Sequence, residues 1–122
     1  MLELTIKGEV YQFNFGMGFL REINKKISAP VDGLKDVNKN IGLQYTVASV
    51  IDGDPEALVD VLEVANKGFS PRVSRNLLDS YIDDAETDID DLFKTVIDFL
   101  KNANATKKAV EKQKAKEQAN QN

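Results

Sequence analysis

Three stretches of this 122-residue chain hold residue types at spacings that chemistry could use. Gly16-Met17-Gly18 follows an alternating segment and opens a helical one, where a dinucleotide fingerprint would begin. A pyrophosphate would sit there on a helix N-terminus, held by backbone N–H groups. The third glycine of the fingerprint is Arg21 here, and no parallel βαβ unit follows. Glycines that ease a sharp strand-to-helix turn explain the pattern without a nucleotide. Asp52, Asp54, Glu56 and Glu63 fall at positions one, three, five and twelve of a calcium loop. The loop's sharp turn needs Gly at position six, which is Ala57, and position four is Pro55. A helix cap followed by a helix accounts for the same residues. The third stretch, residues 83–91 (DDAETDIDD), is an acidic cluster able to hold a cation or to mimic DNA phosphates. It also lies between two helical patterns and supplies the acidic first turn of the second.

Other chemistry lacks its residues. The chain has no His, no Cys and no Trp. Disulfides, thiol nucleophiles and thiolate metal sites are therefore excluded, and the usual neutral-pH acid–base group is missing. Carboxylates or a Lys could still act, but no carboxylate pair is framed by features that would raise one pKa. The expectation is a small, soluble binding protein, not an enzyme, with no catalytic, cofactor-binding or metal-ligating residues. The sequence identifies no partner-binding face.

The net charge of −4 conceals an asymmetry. Residues 1–101 hold 11 Lys/Arg against 18 Asp/Glu, whereas residues 102–122 hold 5 Lys against 2 Glu. An acidic body argues against wrapping nucleic acid, which needs a basic face. The short basic end reads as a solvated tail in preference to a phosphate-binding arm. No apolar run is long enough to span a membrane and no charged-then-apolar leader is present, so a cytoplasmic location is expected.

The elements that would position these residues make one α+β domain over 1–101, mainly helical, with a flexible polar tail over 102–122. Leu2, Leu4 and Ile6 alternate with polar residues, as do Tyr11, Phe13 and Phe15, which predicts an N-terminal antiparallel hairpin. A type II′ turn at Gly8-Glu9 would pair Ile6 with Tyr11, Leu4 with Phe13 and Leu2 with Phe15. A turn at Lys7-Gly8 would instead set Glu9 opposite Ile6. The apolar face needs cover, which the first and last helices are expected to give.

About five helices follow. Phe19, Leu20, Ile23 and Ile27 fall at helical spacing up to Pro30, and Asp32–Asn40 reads as a loop or irregular helical turn. Ile41–Ile51 is apolar nearly all round and reads as the most buried helix. Asp54-Pro55 opens a helix with Leu58, Val61, Leu62 and Ala65 inward, closed by Asn66-Lys67-Gly68. Ser70-Pro71 repeats that start, with Val73, Leu77, Leu78 and Tyr81 inward. Thr87 or Asp88 caps the last helix, striped by Ile89, Leu92, Phe93, Val96, Ile97 and Leu100. Beyond Leu100 only Val110 is large and apolar, so the tail is expected not to pack.

In order and spacing these segments resemble the tail assembly chaperones of long-tailed, non-contractile phages and prophages, especially of Gram-positive hosts. The resemblance spans about residues 1–108. It is carried by the hairpin with its YQFNFGMGFLREINKK continuation, by GLQYTVASVIDGDPEALVDVLEVAN, by SPRVSRNLLDSYID and DIDDLFKTVIDFLK, and by the step Thr106-Lys107-Lys108. Many members have an Asn-Gly turn where this chain has Lys7-Gly8. The resemblance implies binding to the tape measure protein, a long helical chain that sets tail length, which is kept soluble in the host cytoplasm. It also implies absence from the finished virion and a longer frameshifted product that reaches the major tail protein. It implies no catalytic residues, no cofactor, no nucleic acid and no membrane, and leaves self-association open. An acidic inhibitor or DNA mimic acting on a host nucleic-acid enzyme is the competing reading, motivated by residues 83–91.

Overall fold

The computed structural model describes residues 1–26, 28–30 and 38–120. Strands β1 (Leu2–Ile6) and β2 (Glu9–Phe13) form an antiparallel hairpin, followed by helix α1 (Met17–Lys26). Two three-residue strands, β3 (Ser28–Pro30) and β4 (Asn38–Asn40), pair antiparallel and precede α2 (Gly42–Ile51). Then come α3 (Pro55–Ala65), α4 (Arg75–Asp83), α5 (Ile89–Asn102) and α6 (Lys107–Asn120). The expected α+β class, a hairpin on a mainly helical body, is the class observed. The Asp32–Asn40 loop is corrected at its end, since Asn38–Asn40 find backbone partners in Ser28–Pro30 that no alternation signalled. Ile27 and residues 31–37 lie outside the described residues.

The hairpin register differs from the expected one. Leu2 faces Phe13, Leu4 faces Tyr11 and Ile6 faces Glu9. The turn is at Lys7-Gly8, both with positive φ (51° and 79°), as a type I′ turn requires. A left-handed Lys costs about 1 kcal/mol, which the matching twist of the strands offsets. Expected and observed registers differ by two residues, so the same side chains face the core in both. Glu9 ends that face exposed, where its carboxylate accepts a 3.3 Å hydrogen bond from the Tyr11 hydroxyl.

Phe15, just past β2, meets Phe19 of α1 edge-on at 5.3 Å and Phe99 of α5 at 6.1 Å. β2 itself leans on α3, where the Asn14 N–H donates to the Ala65 carbonyl at 2.9 Å. Helix α3, not α2, is the most buried helix. Ala57, Leu58, Val59, Val61, Leu62, Val64 and Ala65 are all buried, because α1, α2, α4 and β2 surround it. Helix α2 buries Gly42, Leu43, Thr46, Val47 and Val50 but leaves Tyr45 58% exposed.

Capping confirms two expected starts and moves a third. Asp54 accepts from Glu56 N–H with Pro55 at the first helical position, and Asp88 accepts from Asp91 N–H at 3.0 Å. Helix α4 is capped by Ser74, not Ser70, through a 3.1 Å bond from Leu77 N–H. Residues 71–73 are instead held by fully buried Asn66. Its Oδ1 accepts from Val73 N–H and from Arg72 Nη1, both at 2.7 Å, and its Nδ2 donates to the carbonyls of Gln12 and Pro71. An amide with this many partners fixes the connection outside the helix and delays the start of α4.

Helix α2 has no side-chain cap of its own. Asn24 of α1 substitutes, its Oδ1 accepting from Leu43 N–H at 2.9 Å. The helices touch backbone to backbone there: a Cβ on Gly42 would lie 1.9 Å from the Ile23 carbonyl oxygen. Packing also continues past residue 101, where the sequence reading expected nothing to bury. Thr106, Ala109 and Val110 are buried, and the Thr106 hydroxyl donates to the Leu100 carbonyl, one of the last acceptors of α5.

Two outcomes are expected. Gly42→Ala should lower stability by about 3 kcal/mol, because backbone on both sides cannot yield. A chemical-denaturation midpoint equal to that of the parent chain would contradict this. Truncation after Asn102 should cost about 2 kcal/mol through loss of Val110 and its neighbours, whereas truncation after Ala115 should cost under about 0.5 kcal/mol. Thermal melting of both forms distinguishes a docked α6 from an idle one.

Candidate functional site

The three stretches with chemical promise resolve into local structure. Gly16 and Gly18 both have ordinary backbone angles, so neither uses glycine's conformational freedom, and the Gly16 carbonyl simply accepts from Leu20 N–H as α1 begins. Both sheets among the described residues are two-stranded and antiparallel, so no parallel crossover stands behind a phosphate site. The calcium-loop candidates are spread over two helices, with Asp52 the C-cap of α2 and the others at the start of α3 or along it. Asp54 caps the helix, while Glu56, Glu63 and Asp60 surround Arg75 of α4 at 3.3, 3.9 and 2.8 Å. Among the described residues no group of three or more carboxylates could hold a metal ion. In the acidic cluster, Asp84 accepts from Glu86 N–H and Asp88 caps α5, so both serve turns.

The perturbed ionisations belong to structural pairs. A hydrogen bond to Asp60 raises the Arg75 pKa, and one to Lys67 lowers that of Glu22. Burial foremost raises Tyr11 and Tyr81, helped by Glu9 and Asp91 respectively. Each shift reinforces the form already present at neutral pH. None creates a group poised for proton transfer.

A broad concavity lies elsewhere, between α2 and the stretch of α6 up to Lys116, with a volume of about 630 Å³. Buried Leu43 and Ala109 form its floor, beside Ile41 and Ala48. Gln44 Nε2 donates to the Ala109 carbonyl at 3.3 Å and ties the two walls together. The rim carries the exposed ring of Tyr45 on one side and exposed Lys108, Lys112 and Lys116 on the other. None of the lining residues is acidic, in a chain whose charge is net negative. Such a trough sets a mainly apolar floor beside a lysine-bearing rim.

Sequence reasoning missed this site because it dismissed the tail. Lysines at 108, 112 and 116 recur every four residues, one face of a helix, but the signal counts only if the helix docks. No helix among the described residues is long and apolar enough to cross a membrane.

A family model described as phage tail assembly chaperone protein matches residues 3–114. No curated protein and no solved structure matches the chain significantly. The match runs from the hairpin through α5 and into α6, taking in α2 and the α6 wall as far as Lys112, with Lys116 beyond it. This chain belongs to the phage tail assembly chaperone family.

Proposed function

We propose that this chaperone binds the tape measure protein of a long-tailed, non-contractile phage or prophage of a Gram-positive host. It keeps that client soluble in the host cytoplasm until the tail tube polymerises around it, and is absent from the finished virion. Binding is non-enzymatic and uses neither nucleotide nor metal. The family match over residues 3–114 carries the reading. The physical need is plain: a chain with apolar helical stripes over a great length aggregates unless they are covered. A small acidic protein with an apolar trough can cover a stripe and lend its charge to the complex.

Co-expression of the client gene with and without this chain provides the test. The client should be soluble only with its chaperone, and the two should co-purify with affinity falling only several-fold between low and high salt, since apolar burial dominates. A client equally soluble alone, or one that never co-purifies, would overturn the reading.

A second, longer product sharing this N-terminus is also proposed. It would arise by frameshifting near the Lys107-Lys108 step and carry a segment that reaches the major tail protein. Mass spectrometry of producing cells should find N-terminal peptides of this chain in a minor larger species. Detection of the short form alone, with no overlapping reading frame, would refute it.

A further inference from the structure

We infer that the α2–α6 groove receives a single amphipathic helix whose apolar stripe is flanked by carboxylates. This deepens the chaperone reading, on which it rests only for the identity of the client. Three observations converge on that occupant. The trough runs beside α6 from Lys108 to Lys116, which is about 12 Å of helix at 1.5 Å per residue. An occupant helix of about two turns or slightly more matches it. The interior is more apolar than polar, with Ile41, Leu43, Ala48 and Ala109 beside the amides of Asn24 and Gln44, and the Tyr45 ring stands at its edge largely in solvent. Tyrosine, large and amphipathic, is a favoured anchor where one side meets apolar surface and the other water.

Charge decides between occupants. Lys108, Lys112 and Lys116 rise along α6 in steps of about 6 Å, the same pitch as carboxylates placed four residues apart on a facing helix. Lys108 already has Glu111 within 3.6 Å on its own helix, a solvated contact that an incoming carboxylate can share. With 18 Asp/Glu in residues 1–101, the rest of the molecule repels an acidic flank and so orients it toward α6. Nucleic acid is disfavoured by the same field, since three lysines beside an acidic body neutralise few phosphates.

The test uses the full-length chain and two labelled synthetic helical peptides of about 18 residues, with one leucine stripe in common. One peptide carries Glu along the flank and the other Lys, and binding is read by fluorescence anisotropy. The Glu-flanked peptide should bind at least about tenfold more tightly than the Lys-flanked one. The triple variant K108E/K112E/K116E should reverse that preference, and the triple Lys→Gln variant should abolish it without reversal. Both alter exposed side chains only, and circular dichroism checks that they stay folded. Tyr45→Ser should weaken both peptides. Equal affinity for the two peptides, binding of neither, a preference unchanged by charge reversal, or tighter binding of a single-stranded oligonucleotide would each overturn the inference. A parallel pull-down of the tape measure protein separates the two claims. Client capture by both parent chain and charge-reversed variant sinks the groove assignment alone. A peptide that binds as expected, beside a client that is never captured, sinks the chaperone reading alone.

Discussion

Helix α2 can take its place only because position 42 has no side chain. There the backbone of α2 lies against the backbone of α1, and a single methyl group would collide with the Ile23 carbonyl. The same approach brings Asn24 within reach of Leu43 N–H, so the missing cap of α2 is supplied by its neighbour. One contact thus solves a steric and a polar problem together. Its consequences spread because α2 is the hub: it touches α1, α3, α5 and α6. Where α2 sits fixes where Tyr45 stands, how deep the trough over Leu43 is, and what surface α6 finds to dock on.

Elements whose boundaries are written locally were readable in the sequence. Asp54-Pro55 and Asp88 begin α3 and α5 because a cap needs only a short polar side chain and an N–H two or three residues on. The hairpin was readable for its face but not its register, since a shift of two residues leaves the buried set unchanged. The start of α4 was misread because Ser70-Pro71 has the local chemistry of a cap. The deciding residue, Asn66, acts through partners as distant as Gln12. Helix α6 was misread for a related reason. Its apolar content is one Val and scattered Ala, and whether these are buried depends on a surface made by α2 and α5. The groove, built from that docking, was invisible for as long as the docking was.

The charge asymmetry acquires a purpose once α6 is placed. On the proposed reading, an acidic body repels other copies and keeps a client-loaded complex in solution, a long-range effect that needs no particular geometry. Recognition needs the opposite, a local patch of contrary sign beside apolar surface. Drawing the lysines from one face of α6 confines the positive charge to one wall of the trough. The two proposed functions therefore call on different parts of the chain and do not compete for the same residues.

On the proposed reading, that arrangement ties recognition to a helix buried only near its N-terminus. Among the described residues of α6 and the turn before it, only Thr106, Ala109 and Val110 are buried, all near the helix N-terminus. Beyond them Lys112 and Lys116 project from a stretch, residues 111–119, whose side chains are exposed or half-buried. Burying one Val and one Ala supplies only a few kcal/mol, so docking of this wall is a small term beside the core under α3. An occupant that touches both walls binds the docked form alone, and by mass action it stabilises that form in proportion to its concentration over Kd. Occupancy of the groove and order in α6 are thus linked in both directions. Anything that loosens Thr106 or Val110 weakens recognition without touching the residues that recognise, which separates the anchoring of this wall from the chemistry it presents.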